Sequence, residues 1–131
     1  MRYLLDTSVC VQLLRGDQRT AQRLSGLSPE ETALTAMTVA ELRYGALKGR
    51  ASESKRVELS AFLSGINVLP FDDACAEHHA AVRHALALAG TPIGERDLVI
   101  AATALAHGLV VATGNAREFR RVPGLGVEEW G

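Results

Sequence analysis

The chain has 131 residues, 47% of them hydrophobic and 22% charged, with a formal net charge of −1. That length suits one domain around one buried core and is short for two, and the composition excludes disordered, collagen-like and disulfide-dense classes. No apolar stretch approaches the roughly 20 residues of a membrane-spanning helix, and a near-neutral charge gives no sign, on bulk electrostatics alone, of a nucleic-acid binder.

The start, Met1-Arg2-Tyr3, runs directly into a strand with no room for a secretory leader, so a cytoplasmic protein is expected. Tyr3-Leu4-Leu5 reads as a short buried strand that ends on Asp6, Thr7 and Ser8. Two readings of Asp6 stand side by side here. It caps a helix beginning near Val9, or it is a functional carboxylate at the carboxyl end of a strand, where open α/β sheets hold their ligands. Residues 9–14 have helical apolar spacing and stop at Gly16, and Asp17 caps a second short helix ending near Gly26. Residues 32–37 are β-compatible and lead into Thr38-Val39-Ala40-Glu41, a capping-box pattern that opens a helix running to Gly49. Residues 52–63 form a surface helix, polar on one side with Glu53, Lys55, Arg56 and Glu58.

Residues 66–69 read as a third strand, and Asp72 caps a long helix over residues 73–89 that stops at Gly90. The loop Gly90-Thr91-Pro92-Ile93-Gly94 breaks any helical continuation. Glu95 begins a helix that is apolar nearly all round from Leu98 to Ala106, as a buried helix must be. Residues 109–112 make a fourth strand, followed by Thr113-Gly114-Asn115 and a short turn through Phe119; residues 126–130 form an edge strand, with Trp130 packing the tail onto the sheet. Tyr44 and Phe119 are expected in the core rather than as base-stacking platforms. Cys10 and Cys75 are far apart and in no metal-binding spacing, so reduced core thiols are expected.

Strands alternating with helices predict an α/β fold: an α/β/α sandwich with a central, mostly parallel sheet of four to five strands, residues 1–131 forming a single domain. That topology places Asp6, Glu41 and Asp97 at the carboxyl edge of the sheet, with Asn115 and Glu118 following the fourth strand. Carboxylates packed this closely repel one another, and a divalent cation removes the conflict. An all-oxygen donor set without His or Cys selects a hard ion, Mg²⁺ or Mn²⁺, and such ions act on phosphate-bearing substrates.

Four stretches in register carry a family resemblance. They are Leu4-Leu5-Asp6-Thr7-Ser8-Val9, Thr38-Val39-Ala40-Glu41-Leu42-Arg43-Tyr44-Gly45, Ile93-Gly94-Glu95-Arg96-Asp97-Leu98-Val99-Ile100-Ala101-Ala102, and Val111-Ala112-Thr113-Gly114-Asn115-Ala116-Arg117-Glu118-Phe119. With Val122-Pro123-Gly124-Leu125 and the terminal Glu129-Trp130, the sequence resembles a PIN domain, and more narrowly the VapC-type toxins of toxin–antitoxin pairs. The resemblance implies a metal-dependent endoribonuclease that cleaves single-stranded or looped RNA, is usually a homodimer, and is held inactive by an antitoxin. It carries Asp6, Glu41 and Asp97 over as metal-binding and catalytic residues. Many PIN domains have a fourth acidic residue where Asn115 stands, and Glu118 is the candidate to compensate.

Other readings accompany each residue. Glu41 and Asp97 also suit helix N-termini; Thr7, Ser8 and Thr113 suit turns and caps. His78, His79, His84 and His107 have no ligand spacing and are read as solvated helix positions. Arg43 and Arg96 either reach the phosphate backbone or are simply solvated. Arg117, Arg120 and Arg121 form a basic cluster that suits RNA phosphates or an ordinary charged turn. Leu13, Leu24, Leu47 and Leu59 are read as apolar residues of a helical arm, available for association or core packing. Two alternatives to the nuclease follow. One is a catalytically silent binding module of the same fold. The other is a receiver-type phospho-acceptor domain, which needs a lysine after its last strands, whereas the only lysines are Lys48 and Lys55.

Overall fold

The computed structural model describes residues 1–49 and 52–131. Among the described residues the chain order is β1 (Tyr3–Leu5), α1 (Thr7–Leu14), α2 (Gln18–Ser25), a 3-10 turn (Pro29–Glu31), β2 (Thr32–Thr35), α3 (Ala36–Leu47) and α4 (Ser52–Leu63). Then come β3 (Asn67–Leu69), α5 (Asp73–Ala89), α6 (Glu95–His107), β4 (Val110–Thr113), α7 (Ala116–Phe119) and β5 (Val127–Glu129). The five strands form one sheet in the order β3-β2-β1-β4-β5, every pair parallel.

Side chains alternate across that sheet and so build two cores. On one face Leu4, Ala33 and Val111 pack with Val82 and Leu86 of α5 and with Leu98, Ala101 and Ala104 of α6. On the other, Tyr3, Leu5, Leu34 and Ala112 pack with Val9 and Cys10 of α1, Leu42 and Ala46 of α3, and Leu59 of α4. The result is the α/β/α sandwich expected from the sequence. Trp130 is 1% exposed, with its ring edge-on to Tyr3 at 5.3 Å between centroids, so the tail is pinned as expected. Both cysteines are free and buried.

Several local expectations need correction. Helix α1 begins at Thr7 rather than near Val9, because Asp6 is its N-cap. Helix α3 begins at Ala36, not at Thr38: Thr35 is the N-cap, and its Oγ1 accepts the Thr38 N–H at 3.0 Å. Thr38-x-x-Glu41 is therefore no capping box, and Glu41 lies in the second turn of α3, where a cap no longer explains it. Tyr44 is not in the core. Helix α3 buries Thr38, Leu42 and Ala46, a stripe four residues apart, which leaves Tyr44 on the other face with 62% exposure. Of the four leucines read as an apolar arm, Leu59 is buried, Leu13 and Leu24 are part-buried against the same cluster, and only Leu47 is well exposed. His79 is not merely solvated: its Nε2 lies 3.0 Å from Glu95 Oε1, and its ring meets Phe71 edge-on.

Candidate active site

In a parallel sheet of order 3-2-1-4-5, connections leave β1 toward β2 on one side, and β4 lies on the other. Ligands of such sheets bind outside the carboxyl ends of the strands flanking that switch point. Here those ends carry Asp6, directly after β1, and Thr113, the last residue of β4.

Asp6 is nearly buried and held from three directions. Its Oδ1 accepts the Thr7 N–H at 2.8 Å, and its Oδ2 accepts from Ser8 Oγ at 2.8 Å and Thr113 Oγ1 at 2.7 Å. The hydroxyls are themselves fixed, since Ser8 Oγ accepts the Gly114 N–H at 3.1 Å and Thr113 Oγ1 accepts the Asn115 N–H at 2.9 Å. Both readings of Asp6 therefore meet in one residue: it caps α1, and it stands oriented at the crevice. Thr7, Ser8 and Thr113 act as positioning hydroxyls around it. A further chain of hydroxyls, which the sequence did not flag, runs from Thr35 Oγ1 through Thr38 Oγ1 (3.1 Å) to Thr7 Oγ1 (3.0 Å) and ties α3 to α1.

Glu41 is reached from that chain: Thr7 Oγ1 lies 3.4 Å from its Oε1, and Arg96 Nη1 lies 2.7 Å from its Oε2. Asp97, in the first turn of α6, titrates at about 7 instead of near 4. Burial is the main cause, followed by its hydrogen bond with Glu118 and the negative charges of Asp6, Glu118 and Glu41. Glu118 moves the other way, held below the usual range first by the hydrogen bond from Asp97 and also by the Gly94 N–H and the charges of Arg121 and Arg117. One proton is thus shared by the pair, resides on Asp97, and is donated to Glu118.

Asp97 thus feels the charges of Asp6, Glu41 and Glu118, although no three ligand atoms of these four carboxylates lie within 4.8 Å of one another. Asn115 is placed differently. It stands exposed at the N-cap of α7, engaged through its backbone N–H, and its side chain makes no capping bond. Arg96 was read from the sequence as free for phosphate or solvated, and in the structure it is the partner of Glu41. Lys48 and Lys55 are not remote from the site either, for both line a cleft that also contains Thr7, Glu41 and Arg96.

The donor set is all oxygen, which fits a hard divalent ion, and the charges of Asp6, Glu118 and Glu41 add to burial in raising the Asp97 titration. Among the described residues, the trio of His, Cys and acidic ligand atoms within 4.8 Å of one another is Asp72, Cys75 and His107. That trio belongs to a helix cap: Asp72 Oδ1 accepts the Cys75 N–H at 3.0 Å at the start of α5. His107 is ten residues along α6 from Asp97, about 15 Å by helical rise.

A parallel sheet of this order with acidic residues gathered at its switch point defines a class, and residues 3–125 match the PIN domain family. The chain belongs to that family. It is 35% identical over 130 residues to the tRNA(fMet)-specific endonuclease VapC of Salmonella typhimurium, covering 99% of this chain and 98% of that protein. To Ribonuclease VapC2 of Rickettsia felis it is 33% identical over 132 residues, with the same coverage. Among solved structures, VapBC2 from Rickettsia felis bound to a DNA fragment from its promoter superposes with a TM-score of 0.92 at 30% identity, covering 100% of both chains. DNA-bound VapBC from Salmonella typhimurium gives 0.93 at 35% identity, covering 100% of this chain and 99% of the other. Family membership removes the receiver-type alternative.

Proposed function

We propose that this chain is a Mg²⁺- or Mn²⁺-dependent endoribonuclease that cleaves single-stranded or looped RNA, the toxin of a toxin–antitoxin pair. The observation that carries the reading is the position of Asp6, Glu41, Asp97 and Glu118 about the switch point, with Asp97, raised to about 7 first by burial and then by its bond to Glu118, also feeling the charges of the other three. The relatives' names support RNA cleavage, and the solved VapBC assemblies support an antitoxin partner. As an RNA-cleaving toxin it would act in the cytoplasm as a homodimer, with residues 1–131 as one domain.

Asp6, Glu41 and Asp97 are the residues assigned to the metal. When bound, a hard divalent ion neutralises charge on the phosphoryl oxygens and makes a water acidic enough to attack phosphorus in line. The chain's own groups do the rest. Asp6 presents an oxygen whose direction is set by Ser8 and Thr113. Asp97, the proton-bearing member of its pair with Glu118, would have to lose that proton to hold a metal, and Glu118, kept ionised, would supply a further negative charge beside it. Arg96, partner of Glu41 at 2.7 Å, would be free to contact a phosphate if that carboxylate were neutralised by another cation. Asn115 stays assigned as a catalytic residue that offers an uncharged amide to substrate or water.

The test is cleavage of a total RNA pool by the wild type and by Asp97→Asn, with cut sites mapped. Cleavage is expected with Mg²⁺ or Mn²⁺, to stop in excess EDTA, and to fall about 100-fold or more in the variant. Full cleavage in EDTA, or by a variant that still folds, would overturn the reading.

A further inference from the structure

Beside the carboxylates runs a cleft of about 480 Å³, walled by α1, α3, α4 and the start of α6. That size is in the range of clefts that enclose ligands. Thr7, Glu41 and Arg96 line it, so it shares Glu41 with the acidic site. Its charge differs from that of the chain as a whole. Arg15, Lys48, Lys55 and Arg96 face it against Glu41 and Glu58, an excess of two positive charges in a chain of net charge −1. Both lysines of the sequence are here.

Tyr44 also lines the cleft. It is the most exposed of the tyrosine, phenylalanine and tryptophan side chains among the described residues, and Lys48 Nζ lies 4.8 Å from its ring centroid. An exposed ring buries little of its apolar area and stabilises the fold little, so packing does not account for a tyrosine at this position. A cationic wall with an aromatic face is what binds single-stranded nucleic acid. The cations follow the phosphates, and the ring takes a base of any sequence.

We propose that this cleft is the track for single-stranded RNA leading to the carboxylates: Tyr44 stacks one base near the cut, while Lys48, Lys55 and Arg15 hold the phosphates of that strand. The proposal rests on the endoribonuclease reading for its substrate class, and it adds positioning residues to it. Lys48, drawn over the Tyr44 ring in the free protein, turns to a phosphate as the base takes the ring face.

The experiment measures binding apart from cleavage. A short 5′-fluorescein-labelled single-stranded oligoribonucleotide of mixed sequence is titrated in EDTA with wild type, Tyr44→Ala, Tyr44→Phe and Lys48→Ala/Lys55→Ala, followed by anisotropy at several salt concentrations. Melting temperature is checked for each variant, and Mn²⁺-supported cleavage by the wild type is scored separately. Tyr44→Ala is expected to weaken binding about 5- to 100-fold with Tyr44→Phe close to wild type. The double lysine variant should lower the slope of log affinity against log salt by about 1.4. Wild type that does not bind the oligomer, or Tyr44→Ala that binds as wild type does, overturns the proposal, and in the second case continued cleavage leaves the nuclease reading standing. Tyr44-dependent binding without any cleavage would do the reverse. Variants that keep RNA affinity but no longer co-purify with a co-expressed antitoxin would make the cleft a protein-docking surface and overturn the proposal as well.

Discussion

At the scale of single residues, Asp97 carries the most information, because its titration can be measured without substrate. In the unfolded chain it titrates at its ordinary 3.8, and in the fold at about 7, so between those values the folded state holds more protons. The sign follows: stability from this group is full below about pH 4 and is lost as pH rises to about 7. Asp97 is only half-buried, so solvent screening reduces the effect to about 1 to 2 kcal/mol. Melting of the metal-free protein from pH 4 to 8 should fall more steeply for wild type than for Asp97→Asn; parallel curves would contradict the shared proton. Asp6 gives a second comparison. Asp6→Asn keeps an acceptor for the Thr7 N–H, and the Ser8 and Thr113 hydroxyls can turn to accept from the new amide. The variant should fold and melt close to wild type yet lose cleavage. Asp6→Ala, which leaves all three donors without this acceptor, should cost about 1 to 3 kcal/mol as well. A melting temperature for Asp6→Ala equal to that of Asp6→Asn would show that the hydrogen bonds do not hold the site.

At the scale of elements, the misread helix start is instructive. Thr38-x-x-Glu41 satisfied the pattern of a cap, but β2 ends where its pairing ends, at Thr35 opposite Leu69, and the hydroxyl of Thr35 was equally able to cap. Local sequence offered two hydroxyls three residues apart, and strand register chose between them. Tyr44 was misplaced because its large ring was read as core, whereas the stripe of small and aliphatic residues Thr38, Leu42 and Ala46 is the face that α3 buries. The tail shows the opposite case. A lone Trp after a short strand pattern is legible as an anchor, and Trp130 fills the core beside Tyr3. Trp130→Ala should destabilise by about 3 to 5 kcal/mol, lowering the melting temperature by roughly 10 °C or more. A thermal scan showing less than a 3 °C change would mean that β5 is held by its pairing with β4 alone.

At the scale of the whole molecule, the sheet was legible because strands separated by helices leave few parallel topologies, and the acidic residues sat at the strand ends and helix starts that this topology gathers. Asp6 and Asp97 could be placed from those positions alone. Less legible was what depends on side-chain direction across elements: the shared proton of Asp97 and Glu118, the Arg96–Glu41 pair, and the cleft that unites both lysines with Tyr44. Each joins residues from two or more separate helices, and no spacing along the chain encodes such a meeting. Charge shows the same limit, since a net charge of −1 conceals a positive cleft beside a negative site.

The central claim is that the clustered carboxylates hold a hard divalent ion, and titration of Mn²⁺ followed by electron paramagnetic resonance tests it most directly. The account predicts Mn²⁺ bound by wild type at pH 8, more weakly as pH falls below about 7, and bound at least about 10-fold more weakly by Asp6→Asn and Asp97→Asn. Equal Mn²⁺ binding by wild type and both variants, or no binding by wild type at millimolar Mn²⁺, would contradict it.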